Sequence, residues 1–275
     1  ESIVACYDLP EATFRHKEFE GYKAKRVKAD QGLVDQIKRA PDFFAAFGIP
    51  LLSAPGFEAD DIIGTVVEQL KKEKGYQIII ASGDMDTLQL VEDDRVVVYT
   101  LRKGIKDTVL YDEKGVVERY GFVPKLLPDY KGLRGDPSDN IPGVKGIGEK
   151  TGTDLIRTFG TIEDLYTALK KKPERFAETG FKERIVELLK ASEGEALFSK
   201  MLGTIRRDAP VTFELTVNHF AEHFDLTKVE TLFKTLSFKS LLPRIEELQQ
   251  NLGSLASNPE PEARSPKGSK QLQPE

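Results

Sequence analysis

Cysteine is nearly absent: Cys6 stands alone in 275 residues. One thiol excludes an internal disulfide and any cysteine-built zinc site, and it fits a reducing compartment. Cys6 itself reads as a small apolar residue on a strand. No apolar run reaches the roughly 18 residues that span a bilayer, and Glu1-Ser2-Ile3 offers neither a basic n-region nor a cleavage site. A cytoplasmic protein outside the membrane is expected. A basic excess is missing too, with a net charge of −5 from 40 Lys and Arg against 45 Asp and Glu. Such a balance argues against a uniformly cationic nucleic-acid binder. The distribution reverses that inference, because Arg15, Lys17, Lys23, Lys25, Arg26 and Lys28 face only Glu18 and Glu20 within their stretch. Phosphate can be gripped locally while carboxylates collect elsewhere.

The length suits one large core or two small ones. Ser2–Tyr7, Pro50–Ala54 and Gln77–Ser82 read as buried strands, and between the last two Ile62, Ile63, Val66, Val67 and Leu70 recur at helical spacing over 59–74. Strand, helix, strand predicts a βαβ unit in a mostly parallel sheet covered by helices. Val96–Tyr99 and Thr108–Tyr111 add two short strands. From 112 the pattern turns to helices over 113–120, 125–133, 149–159, 162–170, 181–189 and 195–205, with closing helices over 226–236 and 241–252. An α/β core over 1–111 and a helical subdomain over 112–252 follow. Residues 253–275 hold four prolines and no aromatic residue, which predicts a disordered linker. The chain opens inside an apolar run, so a strand upstream of Glu1 is expected.

Acidic residues fall where a parallel sheet presents ligands, outside the carboxyl ends of its strands. Asp8 follows the first strand, Asp84 and Asp86 follow the third, and Glu58, Asp60 and Asp61 open the helix after the second. Oxygen donors without histidine or cysteine suit Mg²⁺ or Mn²⁺ better than Zn²⁺. Helix N-termini also attract carboxylates on their own. Adjacent carboxylates nevertheless repel unless a cation lies between them. Asp136 and Asp139, in Gly135-Asp136-Pro137-Ser138-Asp139-Asn140, are explained equally by turn chemistry.

Ile141-Pro142-Gly143-Val144-Lys145-Gly146-Ile147-Gly148-Glu149-Lys150-Thr151 is a glycine-punctuated hairpin entering a helix. Gly143, Gly146 and Gly148 admit close backbone approach to phosphate, with charge from Lys145 and Lys150. Val144 and Ile147 alternate with the glycines as in a helix-hairpin-helix over 141–159. The stretch from Phe14 to Arg26 interleaves aromatic residues with Arg15, Lys23, Lys25 and Arg26, a composition that suits single-stranded nucleic acid. A solvated helix face is the plain alternative.

Taken in order, these strings resemble the 5′-nuclease domains of bacterial DNA polymerase I, over residues 2–250. The resemblance implies a PIN-like core and a structure-specific 5′–3′ exonuclease and flap endonuclease acting in replication and repair. It implies that Asp8, Glu58, Asp60, Asp61, Asp84, Asp86, Asp136 and Asp139 surround two or more Mg²⁺ or Mn²⁺ ions. Lys23 and Arg26 would sit on an arch helix at the scissile phosphate, with Tyr22 stacking on a terminal base. Arg15, Lys25, Lys150 and the hairpin Gly143-Val144-Lys145-Gly146-Ile147-Gly148 would hold DNA, with K⁺ on hairpin carbonyls. A linked polymerase domain, a nucleoid location and an upstream strand bearing another aspartate are also implied, and without that strand little activity is expected. Met85 stands where the family has lysine, and Gly152-Thr153 where it has small helix formers. A ribonuclease core and a DNA-binding module without chemistry are the competing expectations.

Overall fold

The computed structural model describes residues 2–104, 107–215 and 219–256. It separates into two compact units, the larger of residues 5–35 and 51–215. In that unit β1 (Ala5–Cys6) pairs in parallel with β2 (Leu51–Leu52). β3 (Ile78–Ala81) pairs in parallel with β4 (Val96–Lys103), which pairs antiparallel with β5 (Asp107–Tyr111). The helix Ala59–Leu70 packs against both β1 and β3. Its buried Ile62 joins Ala54 and Ala209, whereas Val67 joins Ile80, Leu88 and Leu90. Because it runs back against parallel strands, its first turn lies at their carboxyl ends. Glu58, Asp60 and Asp61 are thereby carried towards the turns that follow β1 and β3.

The rest of the larger unit is helical. Asp112 caps Glu113–Tyr120 by accepting from the Gly115 amide at 2.8 Å, and Gly121, at φ 81°, ends that helix. Helices Leu127–Arg134, Glu149–Phe159, Ile162–Lys171 and Glu193–Gly203 enclose Leu133, Leu155, Ile156, Ile162 and Leu165. Each buried aliphatic side chain contributes about 1.5–3 kcal/mol over exposure. Close approach of Leu127–Arg134 to Glu193–Gly203 depends on Gly132, where a Cβ would lie 2.8 Å from the Ala196 carbonyl oxygen.

Between Leu127–Arg134 and Glu149–Phe159 the chain makes a tight hairpin, with Asp136 and Ile141 exchanging backbone bonds of 2.9 and 2.8 Å. Gly143, at φ 63°, backs onto Gly135, whose nitrogen would lie 2.2 Å from an added Cβ. Val144 and Ile147 turn into the core, leaving Lys145, Gly146 and Gly148 exposed.

Of the described residues, the smaller unit comprises 2–4, 36–50 and 219–256. Its helices Ala40–Ala46, Leu226–Thr235 and Leu242–Ala256 meet around Val229, Phe233 and Ile245, with Phe43 stacked on Phe238 at 6.1 Å.

Several expectations change. The strand over 2–7 contracts to Ala5–Cys6, and the helix from 59 stops at Leu70. Helices Gln31–Ile37 and Ala40–Ala46 were not legible. Residues 253–256 continue the last helix, and 257–275 lie outside the described residues. Tyr22–Arg26 is not an arch helix: i→i+3 turn bonds run through it, Lys23 takes φ 55°, and its amide bonds the Asp139 carbonyl. Among the described residues no helix is long and apolar enough to cross a membrane.

Candidate metal centre

Four short segments bring the acidic residues together. The turn after β1 supplies Asp8, whose Oδ1 accepts from the Ala59 amide at 2.7 Å. The turn after β3 supplies Asp84, which caps the following 3₁₀ turn by accepting from the Asp86 amide at 2.9 Å. The helix start supplies Glu58 and Asp60, and the hairpin supplies Asp136 and Asp139. Oxygens of Asp86, Asp136 and Asp139 lie within 4.8 Å of one another.

Burial pushes the Asp60 carboxyl up to about 7, reinforced by Asp84, Asp86, Asp8 and Glu58. Burial also raises Asp86, to about 6, against the pull of Lys131. Asp136 goes the other way: burial is outweighed by Lys131 and Ser138, which hold it at about 2. Beside Asp60 the Cys6 thiol is pushed up to about 12, by burial first and that carboxylate second. Crowded carboxylates in a partly dry site resist ionising together, and a hard divalent cation relieves that cost. An all-oxygen donor set therefore fits such an ion.

Cations line the same cluster. Lys23 Nζ reaches Glu58 Oε1 at 2.8 Å, and Arg26 Nη2 reaches Asp139 Oδ1 at 2.5 Å. Lys131, on Leu127–Arg134, donates to Asp136 Oδ2 at 2.6 Å and also bonds Asp86. Its role was not legible, because a lysine near a helix end is ordinarily a solvated partner of the helix dipole.

Three residues stand apart from their expected roles. Asp61 is fully buried and accepts from Arg15 at 2.7 and 2.8 Å, from the Glu58 amide and from the Arg206 amide, so its oxygens are committed within the protein. Arg15, 3% exposed, also donates to the carbonyls of Leu202 and Thr204, which removes it from any DNA surface. Tyr22, also 3% exposed, packs with Ile141 and Leu202 and donates to Glu58 and Asp139. Its ring is enclosed by protein, which does not match the stacking platform expected of it. Val144 and Ile147 are core side chains and can meet DNA only through their backbone. Lys25, Lys145 and Lys150 are exposed.

Two family models match the chain: the 5'-3' exonuclease, N-terminal resolvase-like domain over residues 1–121, and the 5'-3' exonuclease, C-terminal SAM fold over residues 122–224. Among curated relatives, the DNA polymerase I of Bacillus caldotenax is 40% identical over 246 residues, covering 89% of this chain and 27% of that protein. The DNA polymerase I of Mycobacterium tuberculosis H37Rv is 34% identical over 243 residues, covering 88% and 26%. The chain thus spans about a quarter of the length of these relatives. Among solved structures, bacteriophage T5 5'-exonuclease with bound zinc aligns with a TM-score of 0.57 at 24% identity, over 70% of each chain. The catalytic core of Rad2 in complex with a DNA substrate aligns at 0.50 and 20% identity, over 82% of this chain and 70% of that one. At those identities the likeness bears on the fold.

Proposed function

The chain belongs to the 5'-3' exonuclease family, and from that premise we propose that it hydrolyses DNA phosphodiesters at 5′ ends and 5′-flap junctions. The carrying observation is the convergence of Asp8, Glu58, Asp60, Asp84, Asp86, Asp136 and Asp139 beside Lys23 and Arg26. Those seven carboxylates would hold two or more Mg²⁺ or Mn²⁺ ions; Asp61 serves instead to anchor Arg15. When bound, such ions supply an acidified water and neutralise charge growing on the reacting phosphate.

The protein's own groups do the positioning. Arg26, half exposed, can offer guanidinium N–H groups to the scissile phosphate while one nitrogen stays on Asp139. Lys23, on its Glu58 contact, places an ammonium at the edge of the cluster, where charge develops in the transition state. Tyr22 orients Glu58 and Asp139 through its hydroxyl rather than contacting a base. The exposed Lys145, Gly146, Gly148 and Lys150 form a clamp for duplex backbone, a helix-hairpin-helix in this reading, with K⁺ on its carbonyls. Such contacts read phosphate, not sequence. A polymerase domain in the same protein, action in replication and repair, and a nucleoid location in the cytoplasm belong to the same reading.

The test is cleavage of a 5′-flapped duplex labelled at its 5′ end. Mg²⁺ should give a product cut at the junction, and EDTA should abolish it. Cleavage that persists in chelator would overturn the reading.

A further inference from the structure

Lys131 has no part in the chemistry above, yet its ammonium bonds two of the carboxylates assigned to the cations. We propose that Lys131 is a built-in competitor for the divalent ion, setting how tightly Asp86 and Asp136 hold it. This rests on the reading of the cluster as a metal centre.

The geometry gives the lysine a fixed place. Nζ lies 2.6 Å from Asp136 Oδ2 and is bonded to Asp86 as well, and those two residues with Asp139 can bring three oxygens within 4.8 Å. An ammonium and a divalent ion at one carboxylate pair share acceptor oxygens and repel each other. The lysine cannot easily withdraw, because its stem lies against Gly203, where a Cβ would come within 3.3 Å of both its Cβ and Cδ. The helix that carries it is held against Glu193–Gly203 by the contact at Gly132. Asp84, in the turn after β3, and Asp60, at the start of Ala59–Leu70, interact with Asp86 electrostatically, and Arg26 engages Asp139, so among the described residues Lys131 is the cation that joins Asp86 to Asp136.

The sign of the effect separates competition from simple bracing. A lysine that only propped the carboxylates in place would, once removed, loosen the site and weaken ion binding. A competitor, once removed, leaves the carboxylates more negative and the ion bound more tightly. Lys131→Gln keeps hydrogen-bond donors while removing the charge, and Lys131→Arg keeps the charge.

The experiment titrates Mn²⁺ into each protein, reading unbound Mn²⁺ by electron paramagnetic resonance, with Asp86→Asn to identify the ion concerned. Lys131→Gln should bind that ion about tenfold tighter and gain more in melting temperature from saturating Mn²⁺. Lys131→Arg should stay within about twofold of the unaltered protein. A second readout needs no substitution: on adding Mg²⁺, the Lys131 ammonium signal in nitrogen-15 NMR should shift and its protons exchange faster as the carboxylates are taken. Equal or weaker binding by Lys131→Gln, or an ammonium signal that ignores bound Mg²⁺, overturns the inference and leaves the metal centre standing. Absence of any Mn²⁺ binding sensitive to Asp86→Asn overturns both.

Discussion

Arg15 and Asp61 form a bidentate ion pair out of contact with water, and Arg15 also satisfies two backbone carbonyls near residue 203. Removing one partner of such a pair leaves an uncompensated buried charge and costs about 3–5 kcal/mol. Arg15→Met should therefore lower stability by about that amount in urea denaturation while leaving the salt dependence of DNA binding unchanged. A loss of about one counterion from the salt slope would show that Arg15 touches phosphate after all. Asp60 and Asp86, raised to about 7 and about 6, give a pH dependence of definite sign. Their unfolded values lie near 3.9, so the folded protein binds more protons between about pH 4 and 7. Stability from these two groups is full below that window and is lost as pH rises through it. Asp136, lowered to about 2, acts oppositely and loses its contribution as pH falls from about 4 through 2. In chelator, melting temperature should fall across pH 4–7 more steeply for the unaltered protein than for Asp60→Asn. Equal slopes would mean that Asp60 ionises normally.

Among the elements, the helix pair Leu127–Arg134 and Glu193–Gly203 holds Asp136 and Lys131 in position through close packing at Gly132. Gly132→Ala would drive a methyl to 2.4 Å from Ile162 Cδ1 and 2.8 Å from the Ala196 carbonyl. Overpacking of that kind costs about 1–3 kcal/mol, and chemical denaturation should register it; a neutral result would mean that the helices can part without penalty. In the proposed function the hairpin acts on binding instead. Lys145→Ala should weaken affinity for any duplex sequence equally and reduce the salt slope by about 0.9. A sequence-selective loss would contradict a phosphate contact. Much of this level was readable: the α/β alternation follows from continuous apolar strands and the 3.6-residue spacing of Ile62, Val66 and Val67, and Glu113–Tyr120 has both its cap residues in sequence. The helix Ala40–Ala46 escaped because Arg39 gives it no side-chain cap. The Arg15–Asp61 and Lys131–Asp86 pairs escaped for a different reason: their partners are 46 and 45 residues apart, and only the packed fold joins them.

For the whole molecule, an acidic balance of −5 is compatible with the proposed DNA substrate because carboxylates and cations are sorted by place. The acidic cluster gathers negative charge where the turns after β1 and β3, the start of Ala59–Leu70 and the hairpin at Asp136 meet, while Lys25, Lys145 and Lys150 remain exposed at the surface, where the proposed function has them meet the DNA backbone. The central claim is that this cluster performs metal-assisted hydrolysis rather than gripping DNA. Asp84 tests it most directly, because its carboxylate is exposed and its removal disturbs only the cap of a short turn. The measurement is the Mg²⁺-dependent single-turnover rate of 5′-flap cleavage by Asp84→Ala, with duplex affinity determined in parallel. A rate lowered about 100-fold or more, at an affinity within about twofold, is the outcome expected when transition-state stabilisation alone is lost. A near-normal rate, or a loss confined to affinity, would contradict the account.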